Sequence, residues 1–293
     1  MPRDKKSLSF QAVEQLKTHC CFGESKHKAQ LAARAQAIAS GKKALPLEGI
    51  YSYSTYHDYA KHCKLFAHWA RATHGCDNLQ EARQYVDEWL ITVRSKFAPS
   101  TQKLDVSALS KLYGCTSADF APTPPRRRQD IKRSRGPAVR DKHFSVKNNA
   151  ELIAFCRGTG LRRHEIEKLT GDALVYIDNA PYLHIRGKNG KWRDAPIVGP
   201  AVADIVARCQ ASENNALVWS RVSRNADVHG YRRDYAKVIY GMYARDVTTL
   251  QRKERYDCRG DLRGTHWDRA AMLAASRALG HNRLNVIAGH YLT

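Results

Sequence analysis

The sequence predicts a mainly α protein with a small antiparallel β-sheet, an α+β chain built in two parts. Three observations predict it. Apolar residues recur at helical spacing from Tyr51 to about residue 115, and a proline- and arginine-rich stretch then interrupts all periodicity. Beyond it, β-rich segments and a hairpin turn lie inside an otherwise helical second half.

Residues 1–48 are basic and rich in Ala, Gln and Lys. The run KHKAQLAARAQAIASGKK suits a helix ending at Gly41, but with few bulky apolar side chains this segment reads as an arm without a core of its own. Residues 49–116 read as a small all-helical domain. Its first helix carries Tyr56, Tyr59, Ala60, Cys63, Phe66, Ala67 and Ala70 on one stripe, with Ser54 as cap and Gly75 as stop. Lys61, Lys64 and Arg71 fall off that stripe and form a basic face. A second helix runs through LQEARQYVDEWLITVRSK, and a third begins at Pro99-Ser100 and stops at Gly114, with Leu104, Ala108, Leu109 and Leu112 inward.

Residues 117–142 form a linker. Pro122, Pro124, Pro125 and Pro137 resist regular structure, and Arg126, Arg127, Arg128, Lys132, Arg133 and Arg135 between them would follow a phosphate backbone. Residues 143–293 mix helix and strand. Asn149 can cap a helix through Cys156, LRRHEIEKL is a second short helix, and LVYI, YLHIRGK and WRDAPIV are strands, the last two joined by a type I′ turn at Asn189-Gly190. Helical patterns return from Ala201.

Composition narrows the function. The 293 residues hold 49 Lys+Arg against 28 Asp+Glu, a net charge of +21, so the surface needs an anionic partner. With 43% hydrophobic and 26% charged residues, wholesale disorder and collagen-like repeats are excluded. No stretch approaches the roughly 18 consecutive apolar residues of a spanning helix, so no membrane is expected and the cytoplasm is the expected compartment. The eight cysteines show no CxxC pair and no CxxC…HxxxH spacing, so they read as reduced thiols and no metal is expected. Basic residues run through the whole chain rather than along one amphipathic helix, which points to nucleic acid.

Four segments of the second half place cationic or nucleophilic side chains at structurally marked points. In TGLRRHEIEKL, Gly158 and Gly160 form a turn and Arg162, Arg163 and His164 open a helix, an arrangement suited to phosphate. Lys188 and Lys191 flank the hairpin tip of GKNGKWRDAP, and a lysine among other cations gives up a proton more readily. His229 and Arg232 stand three residues apart at a helix start and share a face. The last segment, ALGHNRLNVIAGHYLT, holds His281 at a Leu-Gly-His turn and Tyr291 ten residues later. Each of these alone is weak, because an arginine in a first turn or an aromatic near a terminus is more often a surface or packing residue.

Together they resemble the tyrosine recombinase (phage integrase) family. Arg162 of TGLRRHEI matches its first arginine and Glu165 the acidic neighbour, Lys188 its hairpin lysine, His229-Gly230-Tyr231-Arg232 its HxxR box, Leu279-Gly280-His281 its LGH box and Tyr291 its nucleophile, all in family order. The resemblance implies a helical SAM-like core-binding domain, a linker and a catalytic domain. It implies a site-specific recombinase of a mobile genetic element, working on double-stranded recombination sites as a tetramer on two DNA sites, with accessory DNA-bending or directionality factors and no cofactor. It also implies roles: Tyr291 as nucleophile forming a 3′-phosphotyrosyl link, Arg162 and Arg232 on the phosphorane, Lys188 as general acid, His229 assisting the tyrosine and His281 donating to a non-bridging oxygen.

Two departures stand out. The stretch from Arg232 to His281 is longer than the family commonly shows, and residues 240–275 resemble an insertion found in a subgroup of mobile-element integrases. It contains rival registers for the HxxR box at Gly260-Asp261-Leu262-Arg263 and Tyr256-Asp257-Cys258-Arg259, of which His229/Arg232 is preferred because it keeps both residues. The sequence also ends at Thr293, where many relatives continue into a helix that docks on a neighbouring subunit. Competing readings are a type IB topoisomerase-like nicking-closing enzyme, a non-catalytic DNA-binding relative, and an RNA- or ribosome-associated basic protein. The last leaves the ordered boxes unexplained.

Overall fold

The computed structural model describes residues 6–42, 44–127, 144–187, 190–213, 215–281 and 283–293. It divides into two compact units, Met1–Ile131 and Lys132–Thr293.

In the first unit, α1 (Leu8–Lys17) is capped by Ser7 and presents Leu8, Ala12 and Leu16 at a four-residue spacing. All three are buried with Phe66, Trp89, Leu109 and Leu112 in one core, so this part of the segment expected to be a coreless arm is built into the helical unit. The following α2 (Lys26–Ala39) buries no residue. The long α3 (Tyr53–His74) starts from Ser52 rather than Ser54, because the Ser52 side chain is the one that accepts from Thr55 N, and it stops at Gly75 with φ +67°.

The second expected helix is broken into α4 (Leu79–Arg83), α5 (Val86–Glu88) and a π-helical turn, Trp89–Arg94. The wider turn brings Trp89, Leu90 and Arg94 all inward. Then α6 (Pro99–Tyr113) takes Pro99 in its first turn and ends at Gly114, φ +62°. Leu104 is only half-buried, while Asp105 is fully buried between α3 and the π-turn. Its carboxylate accepts from Arg94 Nε at 2.8 Å and pairs with His62 Nδ1.

The second unit begins with α7 (Ala150–Thr159), where Asn149 makes no side-chain cap bond; a 3₁₀ turn, Lys147–Asn149, leads into the helix instead. Gly158 lies inside α7, so only Gly160, φ +60°, makes the expected turn. After the short α8 (Arg163–Ile166) come β1 (Leu174–Ile177), β2 (Ala180–Arg186) and β3 (Trp192–Pro196), antiparallel in the order β1-β2-β3. The two-residue turn with both φ positive lies between β1 and β2, at Asp178 (49°) and Asn179 (61°). Between β2 and β3 Gly187 N donates to Lys191 O at 2.7 Å, and Gly190 has φ +74°. Lys188 and Asn189 of that connection lie outside the described residues.

Helices α9 (Val202–Gln210) and α7 pack with the sheet around Phe155, Leu183, Ile185 and Ile205. A second core around Tyr235, Met272, Leu279 and Ile287 joins α10 (Val228–Tyr243), α11 (Arg269–Ala278) and α12 (Leu284–His290). The insertion folds as a hairpin, β4 (Arg255–Asp257) with β5 (His266–Asp268), whose buried Asp268 caps α11 and accepts from Arg245 Nε at 2.8 Å. Among the described residues no helix is long and apolar enough to cross a membrane.

Candidate active site

Five local structures deliver the site. Arg162 stands at the N-cap of α8 in extended backbone, and the Glu165 carboxylate bonds both its N–H at 2.7 Å and its Nη1 at 2.8 Å. Arg163 points the other way. Its guanidinium donates to the carbonyls of Ser223 (2.7 Å) and Ala226 (2.8 Å), fixing the segment that leads into α10. There Asp227 caps the helix by accepting from Gly230 N at 3.0 Å, which places His229 and Arg232 in the first turns.

His281 follows a Schellman ending. Gly280, φ +68°, lets Gly280 N reach Arg277 O (2.9 Å) and His281 N reach Ser276 O (2.7 Å), and Ser276 Oγ donates to His281 O at 2.6 Å. Tyr291 is the C-cap of α12, its N–H bonded to Ile287 O at 3.0 Å.

Arg232, Tyr291 and His281 meet. Arg232 is 1% exposed, and all three sides of its guanidinium are used: Nε donates to Tyr291 Oη at 3.2 Å, Nη1 to Gly160 O and Nη2 to Leu279 O. The Tyr291 hydroxyl also lies 3.2 Å from His281 Nε2. Burial pushes Arg232 down to about 10, which leaves it cationic at neutral pH. His281 is pushed down to about 4, first by burial and then by the positive charge of Arg232, Arg162, Arg193 and Arg283, so its ring is neutral and Nε2 can accept a hydrogen bond from the tyrosine hydroxyl. His229 is lowered too, first by loss of hydration and next by Arg232, but it is exposed and forms none of the bonds to Tyr291.

Sequence reasoning passed over Arg193. On β3 it shares the inward face with Ala195, and its fork holds both Glu165 oxygens at 2.9 and 2.8 Å. Glu165 is buried, which by itself raises a carboxyl, yet the bonds from Arg193 and Arg162 hold it down at about 2. A charged residue at the inward register of a strand is the signal that could have found it, since such a group needs a partner. Arg162, Lys191, Trp192, Arg193, Asp194, Arg277 and Gly280 line a cavity of about 360 Å³ whose charge balance suits an anion.

The remaining expected residues are dispersed. Lys191 is exposed beside the cavity, Lys61 and Lys64 are exposed on α3, and Arg126 and Arg127 are exposed after α6. Arg71 is occupied by its own helix end, pairing with Asp77 and donating to Gly75 O and Cys76 O. Arg128, Lys132, Arg133 and Arg135 lie outside the described residues, as does Lys188. Of the rival registers, Arg259 and Arg263 are exposed in the β4–β5 connection, whereas Arg232 reaches the tyrosine.

The fold is that of the tyrosine recombinases. The XerH site-specific recombinase bound to difH substrate, in a pre-cleavage complex, aligns at a TM-score of 0.53 and 13% identity over 99% of this chain and 92% of that one. The same recombinase with palindromic difH substrate, in a post-cleavage complex, aligns at 0.52 and 13% over 97% and 93%. No family model and no curated protein matches the sequence.

Proposed function

We propose that this protein is a site-specific DNA recombinase, the integrase of a mobile genetic element, that cuts and rejoins DNA through a 3′-phosphotyrosyl intermediate. The observation that carries the reading is the hydroxyl of Tyr291 lying 3.2 Å from both Arg232 Nε and His281 Nε2. The hydroxyl is held between a guanidinium N–H that donates to it and an imidazole nitrogen, which orients it as a nucleophile.

In this reading Tyr291 Oη bonds to the scissile phosphorus as the bond to the 5′-oxygen breaks. The tyrosine proton passes to His281, and Lys188 of the hairpin supplies a proton to the leaving 5′-oxygen. Arg162 lines the cavity, and with Arg232 it stabilises charge on the non-bridging oxygens. The phosphotyrosyl link retains the energy of the broken bond, so the reverse attack reseals the strand. His281 thereby takes the part at the tyrosine that the family resemblance had implied for His229.

Residues 49–116 would bind DNA beside the catalytic unit of 143–293, with double-stranded recombination sites as partner and a homotetramer on two sites as the working assembly. The protein would be nucleoid-associated in the cytoplasm. The test uses nicked suicide duplexes covering the DNA that flanks the gene. Wild type should yield a protein–DNA adduct on a denaturing gel, and Tyr291→Phe should bind the same duplex without one. No adduct from wild type on DNA that it binds would favour a non-catalytic DNA-binding relative, and relaxation of supercoils without joint molecules would favour a topoisomerase-like enzyme.

A further inference from the structure

Arg193 bonds to Glu165, the partner of Arg162 on α8, and to the end of α11 that leads into the His281 turn, yet the chemistry above assigns it nothing. It sits at the start of β3, the strand that leaves the hairpin, opposite Ile185 of β2. Its Nη1 and Nη2 clamp the two oxygens of Glu165, the same carboxylate that holds the Arg162 guanidinium at 2.8 Å. Its Nε donates to Ala278 O at 3.2 Å, one residue before the Leu279-Gly280-His281 turn. A Cβ on Gly280 would fall 2.8 Å from Arg193 Cδ, so the glycine of that turn is needed for the close approach as well as for its own φ. The Arg193 side chain is nearly buried and all of its guanidinium nitrogens donate to protein acceptors, which leaves it fixed rather than available to a substrate.

We infer that Arg193 is a positioning residue that locks Arg162, the His281 turn and the β2–β3 hairpin into one frame through Glu165. The inference rests on the recombinase reading. A planar fork satisfies a carboxylate on two oxygens and still has Nε for a third acceptor, whereas an ammonium cannot reproduce that spacing. Misplacement of a reacting group by about 1 Å costs on the order of 100-fold in rate.

The experiment compares wild type, Arg193→Lys, Arg193→Ala and Arg162→Ala in single-turnover adduct formation. The substrate is the duplex on which wild type forms an adduct, prepared with an ordinary scissile phosphate and with a neutral methylphosphonate in its place. Both Arg193 variants should lose on the order of 100-fold in rate on the phosphate duplex while duplex affinity changes little. On methylphosphonate, where less negative charge must be neutralised, the loss should shrink for Arg193→Ala as it does for Arg162→Ala. Full rescue by lysine, or a loss equal on both substrates and accompanied by a lower melting temperature, would overturn the inference, since a charge or a fold would then be all that Arg193 supplies. A second arm needs no DNA. In the free protein, Arg193→Lys should shift the amide resonances of Arg162, Leu279 and His281, and unchanged resonances there would overturn it. Failure of wild type to form an adduct would count against the recombinase reading alone, leaving this second arm to decide the frame.

Discussion

The Tyr291 hydroxyl receives a hydrogen bond from the Arg232 guanidinium and lies 3.2 Å from His281 Nε2, so two side chains orient it. For that hydroxyl to donate to the ring, His281 must be unprotonated with its hydrogen on Nδ1, and burial together with the charges of Arg232, Arg162, Arg193 and Arg283 holds it at about 4. The sign follows from the ordinary value of 6.5 in the unfolded chain. The neutral ring's contribution to stability is complete above 6.5 and lost as the pH falls toward 4. The His281 ring resonance of the DNA-free protein should therefore titrate with a midpoint well below 6.5, and a midpoint at or above that value would contradict the assignment. Arg232→Met should move that midpoint up. It should also cost about 2 kcal/mol in urea unfolding, because the carbonyls of Gly160 and Leu279 lose their buried donor. Glu165 acts with the opposite charge but the same sense of pH. Its folded value of about 2 lies below the ordinary 4.5, so its contribution is present above 4.5 and lost as the pH falls through about 2.

At the level of elements, the frame of the first unit depends on one buried acid. Asp105 on α6 ties α3 through His62 and the π-turn through Arg94, whose guanidinium also lies over the ring of Phe97 at 4.0 Å. Removing one partner leaves the other charge unpaired away from water, so Asp105→Ala should destabilise the protein by about 3–5 kcal/mol. Urea unfolding measures this, and a loss under about 1 kcal/mol would show that Arg94 finds water instead. The π-turn is also where sequence periodicity gave the least. A 3.6-residue stripe through Trp89, Leu90 and Val93 describes one continuous helix, but it does not foresee an arginine turned inward to meet an acid 11 residues later. The long helices α3 and α6 were legible because Pro99, Gly75 and Gly114 punctuate them. The three strands were legible from β-rich composition. By contrast, α1 was missed because three small or aliphatic residues in a basic segment reveal a core face only once Phe66 and Leu109 are there to cover it.

At the scale of the molecule, the proposed reactive positions could be picked out because their order along the chain is informative, and Arg193 could not because its meaning lies in the meeting of β3, α8 and the end of α11. Charge shows the same relation between sequence and fold. Three acids are buried among the described residues, Asp105 on Arg94, Glu165 on Arg162 and Arg193, and Asp268 on Arg245. Lys61, Lys64, Arg126, Arg127, Lys191, Arg252, Lys253, Arg259 and Arg263 stay exposed. These cations contribute to a surface of net positive charge, +21 over the whole sequence. A duplex bound by such a surface releases a counterion for nearly every phosphate neutralised, with log K falling against log [salt] by about 0.9 per phosphate. Measured on any double-stranded oligonucleotide, the slope should be steeper than about −3, and it should become shallower by about 2 when Lys61 and Lys64 are both changed to Ala if both meet phosphates. A wild-type slope shallower than about −3 would leave only three or so phosphates engaged. That is too few for a footprint spread over the chain, and the exposed cations would then be a solvated surface with the anion site confined to the cavity beside Arg162.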